Sequence, residues 1–143
     1  MERTTTESGR SMTDRAVATG ASFRLVDHSK TAAGLFSLHF DLPGEKVNKL
    51  GPPVMHELNA MLDQLKSRTD IRALLFISDK ENIFIAGADI EVIKQIKTAA
   101  DGTRMAAEGQ AVIQKLEELP FPVIAAIHGA SMGGGTELAL CCR

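Results

Sequence analysis

The chain has 143 residues, 44% hydrophobic and 24% charged, which suits one globular domain with a real core and excludes a fibrous or wholly disordered protein. Sixteen Lys and Arg against 18 Asp and Glu leave a net charge of −2, so no broad field draws the protein to nucleic acid or an anionic membrane. An anionic ligand must therefore be held locally.

Only two cysteines occur, Cys141 and Cys142, and as sequence neighbours they cannot build a disulfide framework. No apolar run reaches the roughly 18 residues of a membrane span, and the N-terminus lacks the apolar stretch of a secretory signal. A soluble protein of the cytosol is expected. A mitochondrial matrix fits less well, because Glu2, Glu7 and Asp14 count against a transit peptide.

Residues 1–21 are polar, rich in Thr and Ser and without periodicity, and are expected to form a disordered tail before a folded part over 22–143. Two short β-type runs, 22–27 and 35–41, flank a polar stretch ending in Gly34 and predict a hairpin. After Pro52-Pro53, apolar residues at Val54, Leu58, Met61, Leu62 and Leu65 recur at helical spacing and predict an amphipathic helix. Residues 73–78 (ALLFIS) are a continuous apolar run of strand length, as in a strand covered on both faces. A short run Ile83-Phe84-Ile85 leads into Ala86-Gly87-Ala88-Asp89, where Asp89 can cap a helix from Ile90 towards Lys97. A longer helix is expected from Asp101 to about Leu119, ended by Pro120 and Pro122. A second buried strand over 123–127 then precedes the glycines, and a final helix begins near Thr136. Alternating strands and helices predict an α/β domain with parallel strands, and a chain that stops inside its last helix reads as incomplete on that side.

Two glycine-containing turns, Ala86-Gly87-Ala88-Asp89 and Gly133-Gly134-Gly135-Thr136-Glu137, each follow a strand and open a helix. Such turns leave backbone N–H groups without intrahelical partners, and small residues let a ligand oxygen approach them. If the two converged, they would stabilise an oxyanion such as the enolate of a thioester. Taken singly, each is equally explained by the needs of a tight turn. Glu137 is the candidate acid or base: burial would raise its pKa and the helix N-terminus would lower it. Its plainer role is a first-turn acid that complements the helix dipole. Lys46, Lys49, Lys94 and Lys97 are candidate phosphate partners or simply surface lysines. His28, His39 and His56 lack metal-ligand spacing, no metal is implied, and His128 reads as a loop residue bonded to backbone.

The segments Phe84-Ile85-Ala86-Gly87-Ala88-Asp89-Ile90, Pro122-Val123-Ile124-Ala125-Ala126-Ile127-His128-Gly129 and Gly133-Gly134-Gly135-Thr136-Glu137-Leu138-Ala139 resemble, in order, the crotonase (enoyl-CoA hydratase/isomerase) family. Leu42-Pro43-Gly44-Glu45-Lys46-Val47-Asn48-Lys49-Leu50 is similar to the hydratase domain of multifunctional β-oxidation α-subunits. The resemblance implies a crotonase-type (ClpP/crotonase) spiral of β-β-α units and hydration of trans-2-enoyl-CoA to 3-hydroxyacyl-CoA. It implies an oxyanion hole from the N–H groups of Ala88 and Gly134, and Glu137 as the first of two catalytic glutamates. Ala86, Gly87, Ala88, Asp89, Ile90 and Gly134 would line the acyl-CoA site. The family's second glutamate would lie beyond Arg143, so isomerisation of a 3-enoyl-CoA stays open beside hydration. The resemblance further implies a bacterial cytoplasmic setting, a homo-oligomer or a complex with a thiolase subunit, and no cofactor, NAD belonging only to a dehydrogenase domain downstream.

Two readings compete. Gly129-Ala130-Ser131-Met132-Gly133 fits G-x-S-x-G, the nucleophile elbow of a serine hydrolase, although no HGGG-like segment precedes it. A non-catalytic scaffold that binds acyl-CoA, or an inactive fragment, is the other.

Overall fold

A computed structural model describes residues 15–19 and 21–143. Five strands form the main sheet in the order β1-β2-β3-β4-β6, and β5 and β7 form a small second sheet. The predicted hairpin is present as β2 (Phe23–Asp27) and β3 (Leu35–Phe40), antiparallel with Phe23 opposite Phe40. Beyond it the sheet turns parallel: β3 pairs with β4 (Ala73–Ser78), and β4 with β6 (Val123–Ala126). A helix-bearing crossover joins each parallel pair, which puts helices on one face and builds the expected α/β layers.

The N-terminal expectation needs correction. Arg15–Thr19, assigned to a disordered tail, forms β1 and pairs antiparallel with β2 from Arg15 opposite Asp27 to Thr19 opposite Arg24. The free edge of β2 supplies the bonding partners that the local sequence does not advertise. The remainder of that expectation, residues 1–14, lies outside the described residues.

Helix α1 (Pro52–Lys66) begins with proline at its first positions and buries Val54, Leu58, Met61, Leu62 and Leu65, the predicted stripe. These side chains meet Phe23, Leu25, Phe36, Leu38, Phe40, Leu74 and Phe76 from the sheet. Phe23 stacks on Phe40 with centroids 4.6 Å apart, and Phe76 meets both Phe23 and Phe84 edge-on. Glu57 of α1 reaches back to the start of β2, accepting the N–H groups of Ser22 and Phe23 at 3.0 Å and so tying helix to sheet.

The sheet's second face is less covered than a continuous apolar run suggests. In β4, Leu74, Phe76 and Ser78 are buried, whereas Ala73, Leu75 and Ile77 are half-buried. In β6 only Val123 is buried; Ile124 is 50% exposed, and Ile127 just beyond it 54%. The expectation of two strands covered on both faces therefore fails for β6, which is the terminal strand of its sheet.

After β5 (Ile83–Ile85) comes α2 (Ile90–Ile93), one turn long and shorter than the helix expected to Lys97. Helix α3 (Ala99–Glu117) starts two residues earlier than expected because Thr98 caps it, its hydroxyl accepting the N–H of Asp101 at 3.1 Å. Ile113, Leu116 and the following Leu119 are buried, while Ala106 is exposed. After β7 (Ala130–Ser131), α4 spans Gly134–Leu140. Cys141 caps it, and Arg143, expected inside the helix, lies past its end with its carbonyl accepting from Val123 N at 2.6 Å.

Candidate functional site

The loop between β3 and α1 is pinned by Asn48, a fully buried polar residue. Its Oδ1 accepts from Leu42 N at 2.9 Å, and its Nδ2 donates to Phe40 O at 2.8 Å and Ser78 Oγ at 2.9 Å. Lys80 clamps the same loop from outside, donating to Leu42 O and Glu45 O and pairing with Asp41 at 2.6 Å. A buried amide with every strong group bonded holds one conformation, because leaving any group unpaired costs about 1–3 kcal/mol.

That fixed loop in turn orients the first glycine turn. Ala86 N donates to Asn48 O, Leu50 N to Gly87 O and Asp89 N to Leu50 O, at 2.7, 2.7 and 3.0 Å, so residues 48–50 and 86–89 run side by side as a parallel bridge centred on Leu50 and Ala88. In such a bridge Ala88 directs its own N–H away from the Leu50 segment. Ala88 N accordingly donates to no acceptor among the described residues. Gly87 has φ +108°, and a Cβ there would lie 3.1 Å from Met132 O, so only glycine fits between the two turns.

The second turn comes to meet the first. Gly133, with φ +47°, stands where its Cβ would be 3.9 Å from Gly87 Cα. Gly135 packs so tightly on Ile85 that a Cβ would come within 2.7 Å of the Ile85 Cβ. Gly134 opens α4, so its N–H has no acceptor within the helix. A Cβ placed on Gly134 would lie 3.8 Å from Glu137 Oε2 and 4.0 Å from Ala88 N. The candidate base and both candidate oxyanion donors are thus brought to one point by two turns 46 residues apart in sequence.

Glu137 corrects one expectation. Burial is expected of it, yet it is exposed, facing a cavity of about 800 Å³ and a second of about 360 Å³ between α3 and α4. The larger cavity lies between α1, α2 and α3. Its wall is mostly apolar, with Met55, Val92, Ile96, Met105, Ala106 and Val112, and Ala88, Gly134 and Glu137 also line it. Sequence reasoning found those three and missed the apolar wall, because Met55 and Ile96 stand outside any motif.

Of the remaining expected residues, Asp89 lines the larger cavity, whereas Ile90 and the four lysines are not among the residues that line it. Asp89 caps α2 by accepting Glu91 N at 3.1 Å, as expected, and also pairs with Lys49 at 3.5 Å. The Lys49 ammonium is held above its usual pKa, first by the Glu45 carboxylate 3.0 Å away and further by Asp89, although its surroundings partly desolvate it. Ile90 is 64% exposed. Lys94 is paired with Glu91 at 2.7 Å, whereas Lys46 and Lys97 are exposed and unpaired among the described residues.

His128 Nε2 lies 2.6 Å from Lys80 O, the backbone bond expected of it. His28 and His39 flank buried Ser37, whose Oγ is 2.7 Å from His28 Nε2 and 2.8 Å from His39 Nε2; His39 Nδ1 reaches Asp79 Oδ1 at 2.6 Å. Ser131, the residue of the hydrolase reading, lies in β7 with its Oγ buried and without a hydrogen-bond partner among the described residues. Among the described residues no base stands within hydrogen-bond distance of it, which gives the elbow reading no support.

Comparison with known proteins agrees with this geometry. The family model for enoyl-CoA hydratase/isomerase matches residues 30–143. The fatty acid oxidation complex subunit alpha of Shewanella baltica (strain OS185) is 45% identical over 110 residues, which are 77% of this chain and 16% of that protein. This chain thus spans about a sixth of that relative's length. The enoyl-CoA hydratase structure from Geobacillus kaustophilus HTA426 superposes with a TM-score of 0.79 at 25% identity, covering 91% of this chain and 46% of that one. An enoyl-CoA hydratase from Bacillus anthracis gives a TM-score of 0.71 at 27% identity, with 79% and 43% covered. The two turns, the cavity they open into and a family match running through both of them place this chain in the enoyl-CoA hydratase/isomerase, or crotonase, family.

Proposed function

We propose that this chain carries the oxyanion-binding part of an enzyme that hydrates trans-2-enoyl-CoA to 3-hydroxyacyl-CoA in fatty-acid β-oxidation. One observation carries the reading: Ala88 N and Glu137 Oε2 both stand within about 4 Å of the position a Cβ would take on Gly134. A thioester oxygen bound between the two turns would accept the N–H groups of Ala88 and Gly134, with the acyl chain in the cavity between α1, α2 and α3. As water bonds to the β-carbon, electron density moves through the double bond onto the thioester oxygen, where the two N–H groups hold it. Glu137 takes a proton from that water. Delivery of a proton to the α-carbon completes the net addition of H and OH, and the family resemblance assigns that step to a second glutamate.

The turn at residues 86–90 would hold the CoA adenine, and of the four lysines the unpaired Lys46 and Lys97 are the ones free to meet its phosphates. The relatives' name supports an enzyme working in a fatty-acid oxidation complex, and a bacterial cytoplasm is the setting proposed for it. A second reaction of the same class has its own support. Among described residues, Glu137 alone brings a carboxylate within 4 Å of the Gly134 Cβ position, and a single base can carry a proton from the α- to the γ-carbon of a 3-enoyl thioester.

The test is hydration of crotonyl-CoA by the longest native protein that contains this chain, followed by loss of the conjugated enoyl thioester absorbance, with wild type beside Glu137→Gln. Hydration that collapses in the variant supports the reading. A protein that leaves crotonyl-CoA unchanged but shifts the double bond of a 3-enoyl-CoA converts it to isomerisation, and one that does neither overturns it.

A further inference from the structure

The proposed reaction leaves open which acyl chains the cavity takes, and the wall built by α3 bears on this. Gln110 and Ile113 line both cavities with Glu137, so this end of the wall is nearest the candidate base. From there the wall runs back along α3 through Gly109, Ala106 and Met105 to Gly102, where Ile96 meets it; a Cβ on Gly102 would be 3.6 Å from Ile96 Cγ2. At about 1.5 Å per residue, Gly102 lies roughly 16 Å along the helix from Ile113, and Gly109 only about 6 Å. A cavity of that length is far longer than a four-carbon acyl group requires.

Gly109 is the narrow choice along this path. It stands in the interior of a 19-residue helix, where glycine is less favourable than alanine, and it has no backbone need to be there, since its φ is an ordinary helical one. A Cβ at this position would meet nothing within 4 Å. The missing side chain therefore relieves no clash inside the protein; it leaves space in a wall that lines the cavity.

We propose that Gly109 is a specificity-determining position: its bare wall lets an acyl chain pass along α3, and the substrates are 2-enoyl thioesters with chains much longer than crotonyl. This rests on the reading of the cavity as the acyl site. A side chain of leucine size at residue 109 would project into this path about one helical turn along α3 from Ile113, away from the reacting end.

The experiment compares wild type with Gly109→Leu on crotonyl-CoA, 2-octenoyl-CoA and 2-hexadecenoyl-CoA, in the same native protein, reading kcat/KM and, by calorimetry, Kd for the corresponding saturated acyl-CoAs. Each buried methylene is worth roughly a factor of 4, so loss of several should lower the hexadecenoyl value about 100-fold or more while crotonyl changes less than about 3-fold. Leucine favours helix over glycine, so the variant should be at least as heat-stable as wild type. Ala106→Trp, from the same wall, serves as the second blocking variant, and Gly109→Ala should change little. Equal losses at all three lengths, or no loss at the longest in either blocking variant, would overturn the assignment. Absence of turnover on every substrate would count against the hydratase reading instead, and the Kd series would still decide whether residue 109 sets the length.

Discussion

On the main sheet, a serine hydroxyl, two imidazoles and a carboxylate are joined in the order used by serine hydrolases; at the opening of α4, a single glutamate stands beside two glycine turns. By residue types alone the first region looks the more catalytic. Its chemistry is already spent. With Asp79 as an ionised acceptor, His39 Nδ1 donates to it, His39 Nε2 accepts the Ser37 hydroxyl, and the Ser37 oxygen accepts from His28 Nε2. Arg24 pairs with the other Asp79 oxygen at 3.1 Å, and Ser37 has no exposed surface at all. The second region is the reverse. Its N–H groups have no acceptor among the described residues, its carboxylate is exposed, and a cavity leads to all three. Groups that satisfy one another hold a fold together, whereas groups left waiting beside a cavity are available to a substrate.

Substitutions can break that contrast or sharpen it. The largest effect is expected at Glu137→Gln, which should lower turnover of an enoyl-CoA about 10²–10⁴-fold with almost no change in melting temperature, since the carboxylate is exposed. Ser37→Ala should do the opposite. Removing the hydroxyl takes one hydrogen bond from each of two half-buried imidazoles and should cost about 1–3 kcal/mol in denaturant unfolding, with turnover per folded molecule unchanged. Were the serine variant the inactive one, the assignment of the two regions would be inverted.

Smaller differences are expected at the cysteines and at Ser131. Burial pushes the Cys142 thiol up to about 12, with Cys141 adding to the rise, and desolvation also lifts Cys141. Because the thiolate is the nucleophile, a raised pKa keeps both thiols protonated at pH 8, and alkylation should be slow at both and slower at Cys142. Peptide mapping after iodoacetamide treatment reads this directly, and preferential labelling of Cys142 would show that its burial is not maintained in solution. Ser131→Ala should be the mildest, within about 1 kcal/mol of wild type and as active, because the hydroxyl it removes bonds to nothing among the described residues. Covalent capture of Ser131 by a fluorophosphonate would contradict that.

Much of the fold was legible in the residues. The stripe from Val54 to Leu65 predicted α1 because helical spacing repeats over three turns, and ALLFIS predicted β4 to the residue. β1 was missed because its pairing depends on the free edge of β2 rather than on its own composition. β6 was read as buried because apolar character reports what a strand can bury and not whether anything covers it. The short α2 shows the same limit, since the Asp89 cap was visible but the early end of the helix was not.

By itself the sequence determined the two glycine turns, the glutamate after the second and the family to which they belong, because tight backbone approach and helix starts are local demands on residue type. The convergence of Ala88, Gly134 and Glu137 was decided only by the tertiary structure, through the Asn48 anchor and the parallel bridge from Leu50 to Ala88. So were the cavity and the bare wall at Gly109. Distances between segments 46 residues apart depend on how sheets and helices stack, and no local propensity encodes that.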